Sequence, residues 1–593
     1  MQSTSLRQGS GRQACEQCSA MFEMSDADLQ FCEKVAPIIA NKKYSFPQEA
    51  LCPTCRLQNR TCHRNERFLY KNISAYSDRE IIALYEKTPL WGKPYAIYTP
   101  EEWYGDHWDP MDYGSPFDFS RTFFEQWAEL HKKVPRMGLI QISNENCEYT
   151  TGTAYCKNCY LINSSEYCEE CFYGKLLQSC KDSADCSYLY DSELCYDCFS
   201  VYKSYSCTTL SFSKNCTDCH FSSFLVGCRN CILCTNLTQK EYHVENRPVS
   251  KEEYAKLLAS FQSSSQARED MKKKLRALER KSPRKYANIL NAENCTGDYI
   301  ENSQNCIDCY DVTESQDCHY VHTGVKVKDN LDCSNMYLKV ELCYQVLGAI
   351  EAYACAYCLF IFYSQRLLYS EYCLHCSDCF GCNGLQHKQY CILNKQYTKE
   401  EYEKLVPRII EHMKNDGGGA MNRTSASTEL STDSESSGSW GRFFPSKYSP
   451  FGYNESLANE YLPLTKKEAL ERGFLWRDVV DEPPKVQKVI PAGRLPDQLS
   501  EIPDDVLEWG ITCSKTERPY RIQRPELSLY RKIHIPIPRE HPDVRYDERL
   551  SLRNPRKLWK RACGKCGEEM QTTYSPERPE KVYCEECYLK EVY

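Results

Sequence analysis

Long apolar runs are missing from this 593-residue sequence, and no stretch approaches the roughly 20 residues needed to cross a bilayer. No membrane partner is therefore expected. The opening residues, MQSTSLRQGSGRQ, lack the apolar core of a secretory leader, and a cytoplasmic location is the expectation. Catalytic signatures are also missing: there is no Gly-rich phosphate loop, no G-x-S-x-G elbow and no H-E-x-x-H. A Cys–His nucleophile pair could be drawn by chance from so many cysteines, so it carries no weight. An excess of positive charge is lacking too. With 74 Lys and Arg against 82 Asp and Glu the net charge is -8, so the whole surface is not a nucleic-acid glove. The basic run KKKLRALERKSPRK at 272–285 reads as the solvated face of a helix.

What is present is cysteine, 39 of them. In a reducing compartment a repeated C-x2-C pattern reads as metal ligation or buried thiols rather than as disulfides. At roughly 100 to 200 residues per domain the chain should hold about four units.

Two internal duplications organise it. A shift of 148 residues carries Asn146-Cys147 onto Asn294-Cys295, Cys195 onto Cys343, Cys207 onto Cys355, and Cys228, Cys231 and Cys234 onto Cys376, Cys379 and Cys382. Both blocks end on a capping box, Ser250-KEEY and Thr398-KEEY, that opens a helix. Within each block cysteines recur every 12 residues, as Cys195, Cys207, Cys219 and Cys231 do, in a C-x2-C-x8 unit with aromatics in register. A short fixed period predicts a solenoid whose coils lie about 4.8 Å apart. Its cysteines would form columns, either packing a narrow interior as small apolar thiols or holding metal.

The second duplication joins the two ends at a shift of 489: Arg64-Asn65-x-Arg67-x-Leu69 matches Arg553-Asn554-x-Arg556-x-Leu558, and Arg56 and Arg60 fall on Arg545 and Arg549. Each end thus carries the same two modules in the same order. In the first module Cys15, Cys18, Cys52 and Cys55 correspond to Cys513, Thr516, His541 and Val544, so the C-terminal copy has lost its metal. In the second, Cys563, Cys566, Cys584 and Cys587 stand where Ser74, Ser77, Thr99 and Glu102 are, so there the N-terminal copy has lost it.

The sequence then parses into a zinc ribbon at 11–62, a degenerate metal-free ribbon at 63–104, an aromatic packing segment at 105–145 and a first cysteine-repeat block at 146–249. A single long helix at 250–290 connects to the second block, 294–413, followed by a Gly/Ser/Thr-rich linker at 415–440 that is expected to be disordered. An aromatic and Pro-rich segment (441–510), a degenerate ribbon (511–552) and a C-terminal ribbon (553–593) complete it. The fold class expected is mainly β and multidomain: treble-clef-like zinc ribbons flanking two duplicated cysteine-rich β-solenoid blocks with a helical connector.

The metal expectation is strongest at the C-terminus, where C-x2-C-x17-C-x2-C places two pairs of thiolates to close a tetrahedron around zinc. Metal binding of about 10–16 kcal/mol would supply the stability that so small a module lacks. The N-terminal set has a wider gap, and Cys32 and Cys62 nearby are alternative ligands or bystanders. Its C-x2-C, Phe22, Phe31 and Cys52-Pro53-Thr54-Cys55-Arg56 resemble the probable zinc-ribbon domain of bacterial proteins. With FFEQW, SPFGYNE, KQYTKEEYEKL and VYCEECY, nearly the whole chain resembles a family of uncharacterised cysteine-rich bacterial proteins. Some members are labelled CaiB/BaiF, a label that implies coenzyme A transfer, for which this sequence shows no feature. The resemblance implies an architecture and no activity.

Two block-end sets remain open. Cys373, Cys376, Cys379 and Cys382 approach the spacing of iron–sulfur ligands but lack the final C-x3-C-P. His243 falls on Cys391, a change that keeps metal-binding capacity, so Cys228, Cys231, Cys234 and His243, with Cys376, Cys379, Cys382 and Cys391, are secondary metal candidates. The function expected is a noncatalytic zinc-binding scaffold or adaptor whose partner is protein or RNA. Metal buffering or redox sensing by the cysteine columns, or an iron–sulfur protein, is the alternative.

Overall fold

The computed structural model describes residues 11–88, 90, 94–337, 341–350, 354–417, 438–478, 485–486 and 488–592. Most of the expected linker, 418–437, lies outside the described residues. The chain forms two compact units. One comprises 1–138, 287–477 and 555–558, and the other 139–286, 478–554 and 559–593. Strands outweigh helices, and they are distributed over many sheets.

In the unit built on the first block, four-residue strands pair in parallel with the segment 12 residues on: Thr151 with Asn163, Asn163 with Lys175, Lys175 with Ser187, and Ser187 with Phe199. The local cause is a finer period than 12. Every third residue lies in the left-handed region, as at Tyr155, Asn158, Leu161, Ser164 and Tyr167, with φ between 49° and 55°. That conformation costs an L-residue about 1–2 kcal/mol, and Asn and Asp, which tolerate it best, recur at these corners at Asn146, Asp182, Asp185, Asp191 and Asp197. The residue after each corner points inward, so Cys156, Cys159, Ile162, Ser165 and Cys168 are all buried. A 12-residue coil therefore has four short sides, each contributing one inward side chain. Only small or slender residues fit, and C-x2-C in the blocks is two consecutive inward positions.

The second block repeats this with two irregular coils. Ile289 pairs with Ile300, 11 residues on, and Lys328 with Glu341, 13 residues on. The short and long coils cancel, which is why the blocks match without a gap at both ends while Cys159 and Cys186 correspond to Cys306 and Cys333 in the middle.

Inward thiols act as hydrogen-bond donors. Cys156, Cys168, Cys180 and Cys186 each reach the carbonyl two residues back, and most reach a second carbonyl nine residues on. Serine takes the same place: Ser183 donates to Lys181 O and accepts from Cys195 N, one coil on.

The connector after the first block is two helices, Lys251–Phe261 and Ser265–Lys281, rather than one. Ser264 caps the second, accepting from Ala267 N, and its hydroxyl and the first-turn Gln266 N–H both bond Asp497, which holds the break open. Both expected capping boxes form, Ser250 with Glu253 and Thr398 with Glu401.

Each unit fastens a terminal module to its block in the same way. The helix Pro53–Thr61 buries Arg56 and Arg60 against Asp332, with the Arg56 guanidinium over the Tyr320 ring. In the other unit Pro542–Leu550 buries Arg545 and Arg549 against Asp185, with Arg545 over Tyr173. At the rim Lys34 approaches Asp329 and Lys532 bonds Asp182, while Asp28 and Glu526 are the buried acids of the preceding helices. The duplication therefore includes the docking surface, not only the modules.

Candidate metal centres

Four loops in the terminal modules share one backbone pattern. The residue at the first ligand position donates its N–H to the carbonyl five residues on and accepts from the N–H four residues on. This holds for Cys15 with Ala20 and Ser19, Ser74 with Arg79 and Asp78, Cys513 with Arg518 and Glu517, and Cys563 with Glu568 and Gly567. The fourth residue is left-handed each time, with φ of 60°, 57°, 59° and 80° at Ser19, Asp78, Glu517 and Gly567. The following residue donates across the site, Glu16 to Ala50, Ala75 to Ile97, Ser514 to Arg539 and Gly564 to Val582. The second pair then opens a helix: Cys52, Thr99 and His541 are N-caps, and Cys584 immediately precedes the helix Glu585–Val592.

Two of these loops gather four sulfurs. Cys15, Cys18, Cys52 and Cys55 lie with their sulfurs within 4.8 Å of one another, as do Cys563, Cys566, Cys584 and Cys587. Cys18 Sγ is 3.6 Å from Cys52 Sγ, and Cys566 Sγ is 3.7 Å from Cys584 Sγ. Four thiolates at one point repel one another unless a cation lies among them, and a set of four sulfurs on two knuckles fits a tetrahedral metal. In each group donors converge on one sulfur. The Cys52 N–H reaches Cys15 Sγ at 3.3 Å and the Cys584 N–H reaches Cys563 Sγ at 3.2 Å. Hydrogen bonds from the Cys52 and Cys55 thiols hold the Cys15 thiol far below its usual range. At Cys563 partial burial raises the pKa, but N–H donors from Cys566 and Cys584 outweigh it and bring it to about 6.

The other two loops kept the scaffold with different chemistry. Ser74 Oγ lies 2.5 Å from the Glu102 carboxylate, which also accepts the Thr99 N–H at 2.9 Å and receives Ser77, so hydrogen bonds close the site. In the third loop Cys513 is buried with Thr516 donating to it, while the His541 ring accepts the Asp543 N–H at 3.1 Å.

Among the described residues, Cys228, Cys231, Cys234 and His243 form no group of this kind, nor do Cys376, Cys379, Cys382 and Cys391. Their cysteines are consecutive inward residues, donating to the carbonyls two positions back at Val226, Arg229, Ile232, Leu374, Ser377, Phe380 and Gln389. The spacing of Cys373 to Cys382 thus follows from the three-residue side. His243 Nδ1 faces Glu241 O at 2.9 Å. Cys32 and Cys62 stand outside the N-terminal group; burial pushes both thiols up, and Cys62 donates to Asn59 O.

Sequence reasoning missed the buried Arg–Asp clamps. The paired arginines stand out in the end-to-end match, but Asp185 and Asp332 are single residues among many acidic corners. No helix is long and apolar enough to cross a membrane among the described residues. Against known proteins, the chain matches no family model and no curated protein.

Proposed function

We propose that this protein is a noncatalytic scaffold of the cysteine-rich bacterial kind its motifs resemble, in which zinc at the two terminal tetrathiolate sites fixes modules that clamp onto two β-solenoid blocks. One observation carries the reading: the helix Pro53–Thr61 bears two sulfurs of the metal group at its start and the arginines that grip Asp332 on its next turns. Metal and docking surface are parts of one rigid element, as a structural site requires. Zinc is preferred to iron because each set closes with four thiolates on two knuckles and no sulfide-cluster spacing accompanies it. The alternative of thiol buffering needs exposed, low-pKa thiolates. The interior thiols instead are buried donors, and burial raises those of Cys186, Cys198, Cys343 and Cys358 well above the ordinary range.

A net charge of -8 makes protein the preferred partner over RNA. Elemental analysis of purified protein tests the metal reading. About two zinc per chain, falling by one in Cys584→Ser, is expected; iron, or a zinc content unchanged in that variant, would overturn it. Crosslinking that captures RNA instead of protein would overturn the partner assignment.

A further inference from the structure

Among the described residues, buried arginines come with carboxylates. Arg56 and Arg60 have Asp332, Arg136 has Glu371, Arg545 and Arg549 have Asp185, Arg556 has Asp311, Arg284 has Glu279, and Arg477 has Glu455. Arg268 is the exception. It is 5% exposed and makes no ion pair, its Nη1 is buried without a hydrogen-bond partner, and its Nη2 reaches only Thr209 Oγ1 at 3.4 Å. Asp197 and Glu269, whose charges reach it, are both bonded to Lys272 at 3.1 and 3.7 Å. The guanidinium lies over the Phe221 ring at 4.8 Å, which softens a buried positive charge without neutralising it. Burial accordingly lowers its pKa.

This arginine lines a cavity of about 290 Å³ inside its own unit. Ser206, Thr208 and the buried His220 add polar groups beside it, while Leu194, Phe261 and Ile533 form an apolar wall. His220 Nδ1 is engaged by Thr208 Oγ1 at 3.0 Å. Lys532, at the cavity edge, is held by Asp182, and Asp218 also lines the wall. A dry cavity of about 150 Å³ already admits benzene. The space here therefore holds a ring plus one charged group, and a planar guanidinium with free N–H donors matches a carboxylate in bidentate fashion.

We propose that this cavity is a binding site for a small organic carboxylate, its anionic end on Arg268 and its apolar body on Leu194, Phe261 and Ile533. Inorganic phosphate would satisfy the charge but leave the apolar wall bare, so the site ranks an aromatic acid above acetate and both above phosphate.

The test is calorimetric titration of the full chain with benzoate, acetate and inorganic phosphate. Benzoate is expected to bind the native protein best, about tenfold or more weaker to Arg268→Gln, and in part to Arg268→Lys. Gln262→Trp, which fills the cavity and leaves Arg268 in place, should abolish binding. Without any anion, Arg268→Met should melt no lower than the native chain, because it removes an uncompensated buried charge. The site is overturned if benzoate does not bind the native chain, if phosphate binds better than benzoate, or if native chain and Arg268→Gln bind alike. It is equally overturned if Arg268→Met melts well below the native chain, which would make the arginine a packing residue.

Discussion

Arg56 Nε lies 2.6 Å from the Asp332 carboxylate with both side chains fully buried, and Arg60 approaches the same carboxylate at 3.3 Å. One acid holding two guanidiniums away from water leaves no spare partner. Asp332→Asn would strand both charges, and removing one side of such a buried group costs about 3–5 kcal/mol. Denaturant unfolding should show that loss, and Asp185→Asn should show a similar one through Arg545 and Arg549. A change below about 1 kcal/mol in both variants would mean that the clamps do not hold the modules.

An inward cysteine should be replaceable by serine, since Ser183 already occupies the position one coil before Cys195 and bonds its N–H. Cys195→Ser is expected to cost no more than about 1.5 kcal/mol, the worth of one ordinary hydrogen bond, and to leave metal content unchanged. Metal loss in this variant would reveal ligation inside the block.

The third loop kept its backbone, with Cys513 buried and His541 at the helix start. Thr516→Cys together with Val544→Cys would supply the two missing ligands of a Cys3His set. The double variant should bind one more zinc per chain than its parent, as read by elemental analysis. No gain would show that this loop's geometry has drifted away from a ribbon's.

The two thiol groups differ in shelter. Cys15, Cys52 and Cys55 are buried, whereas in the C-terminal group only Cys563 is, and the helix Glu585–Val592 buries only Tyr588. A chelator should therefore strip the C-terminal metal first, in two resolved phases, with the fast phase absent in Cys566→Ser. A single phase for both metals would contradict this.

Acid should destabilise the fold through histidines held neutral. Burial pushes His63 from 6.5 down to about 4, with Phe444 O facing its Nε2 at 3.2 Å. Its folded value lies below its unfolded one, so its contribution is complete above pH 6.5 and drains away as pH falls toward 4, where the unfolded chain takes the proton first. The slope is at most about 1.4 kcal/mol per pH unit for one such group. Urea midpoints measured at pH 7.5 and pH 5 should differ less in His63→Gln than in the native chain.

Much of the architecture was open to inspection in the order of residues. The C-x2-C pairs at Cys15, Cys52, Cys563 and Cys584 depend on local knuckles, each made within a few residues, and the two closing capping boxes do likewise. The substitutions at Ser74, Ser77, Thr99 and Glu102 marked a site without thiolates, and the hydrogen bonds of Ser74 and Glu102 now occupy it. The 12-residue repeat was legible, but its three-residue side was not. Ile162, Ser165 and Leu189 share the inward role with cysteine, so the finer period is spread over chemically different side chains. The break at Ser264 was hidden because its partner, Asp497, lies more than two hundred residues away.

The terminal tetrathiolate sets belong to the sequence, because a knuckle and the helix start beside it are short-range structures whose ligands can be counted along the chain. Which block each module grips, and which cysteines only pack, were decided by the tertiary structure. Arg56 meets Asp332 and Arg545 meets Asp185 only after some hundreds of residues have folded back. A thiol becomes a buried donor rather than a ligand only once the coil around it has closed. Both outcomes turn on desolvation, which a residue acquires from its neighbours in space.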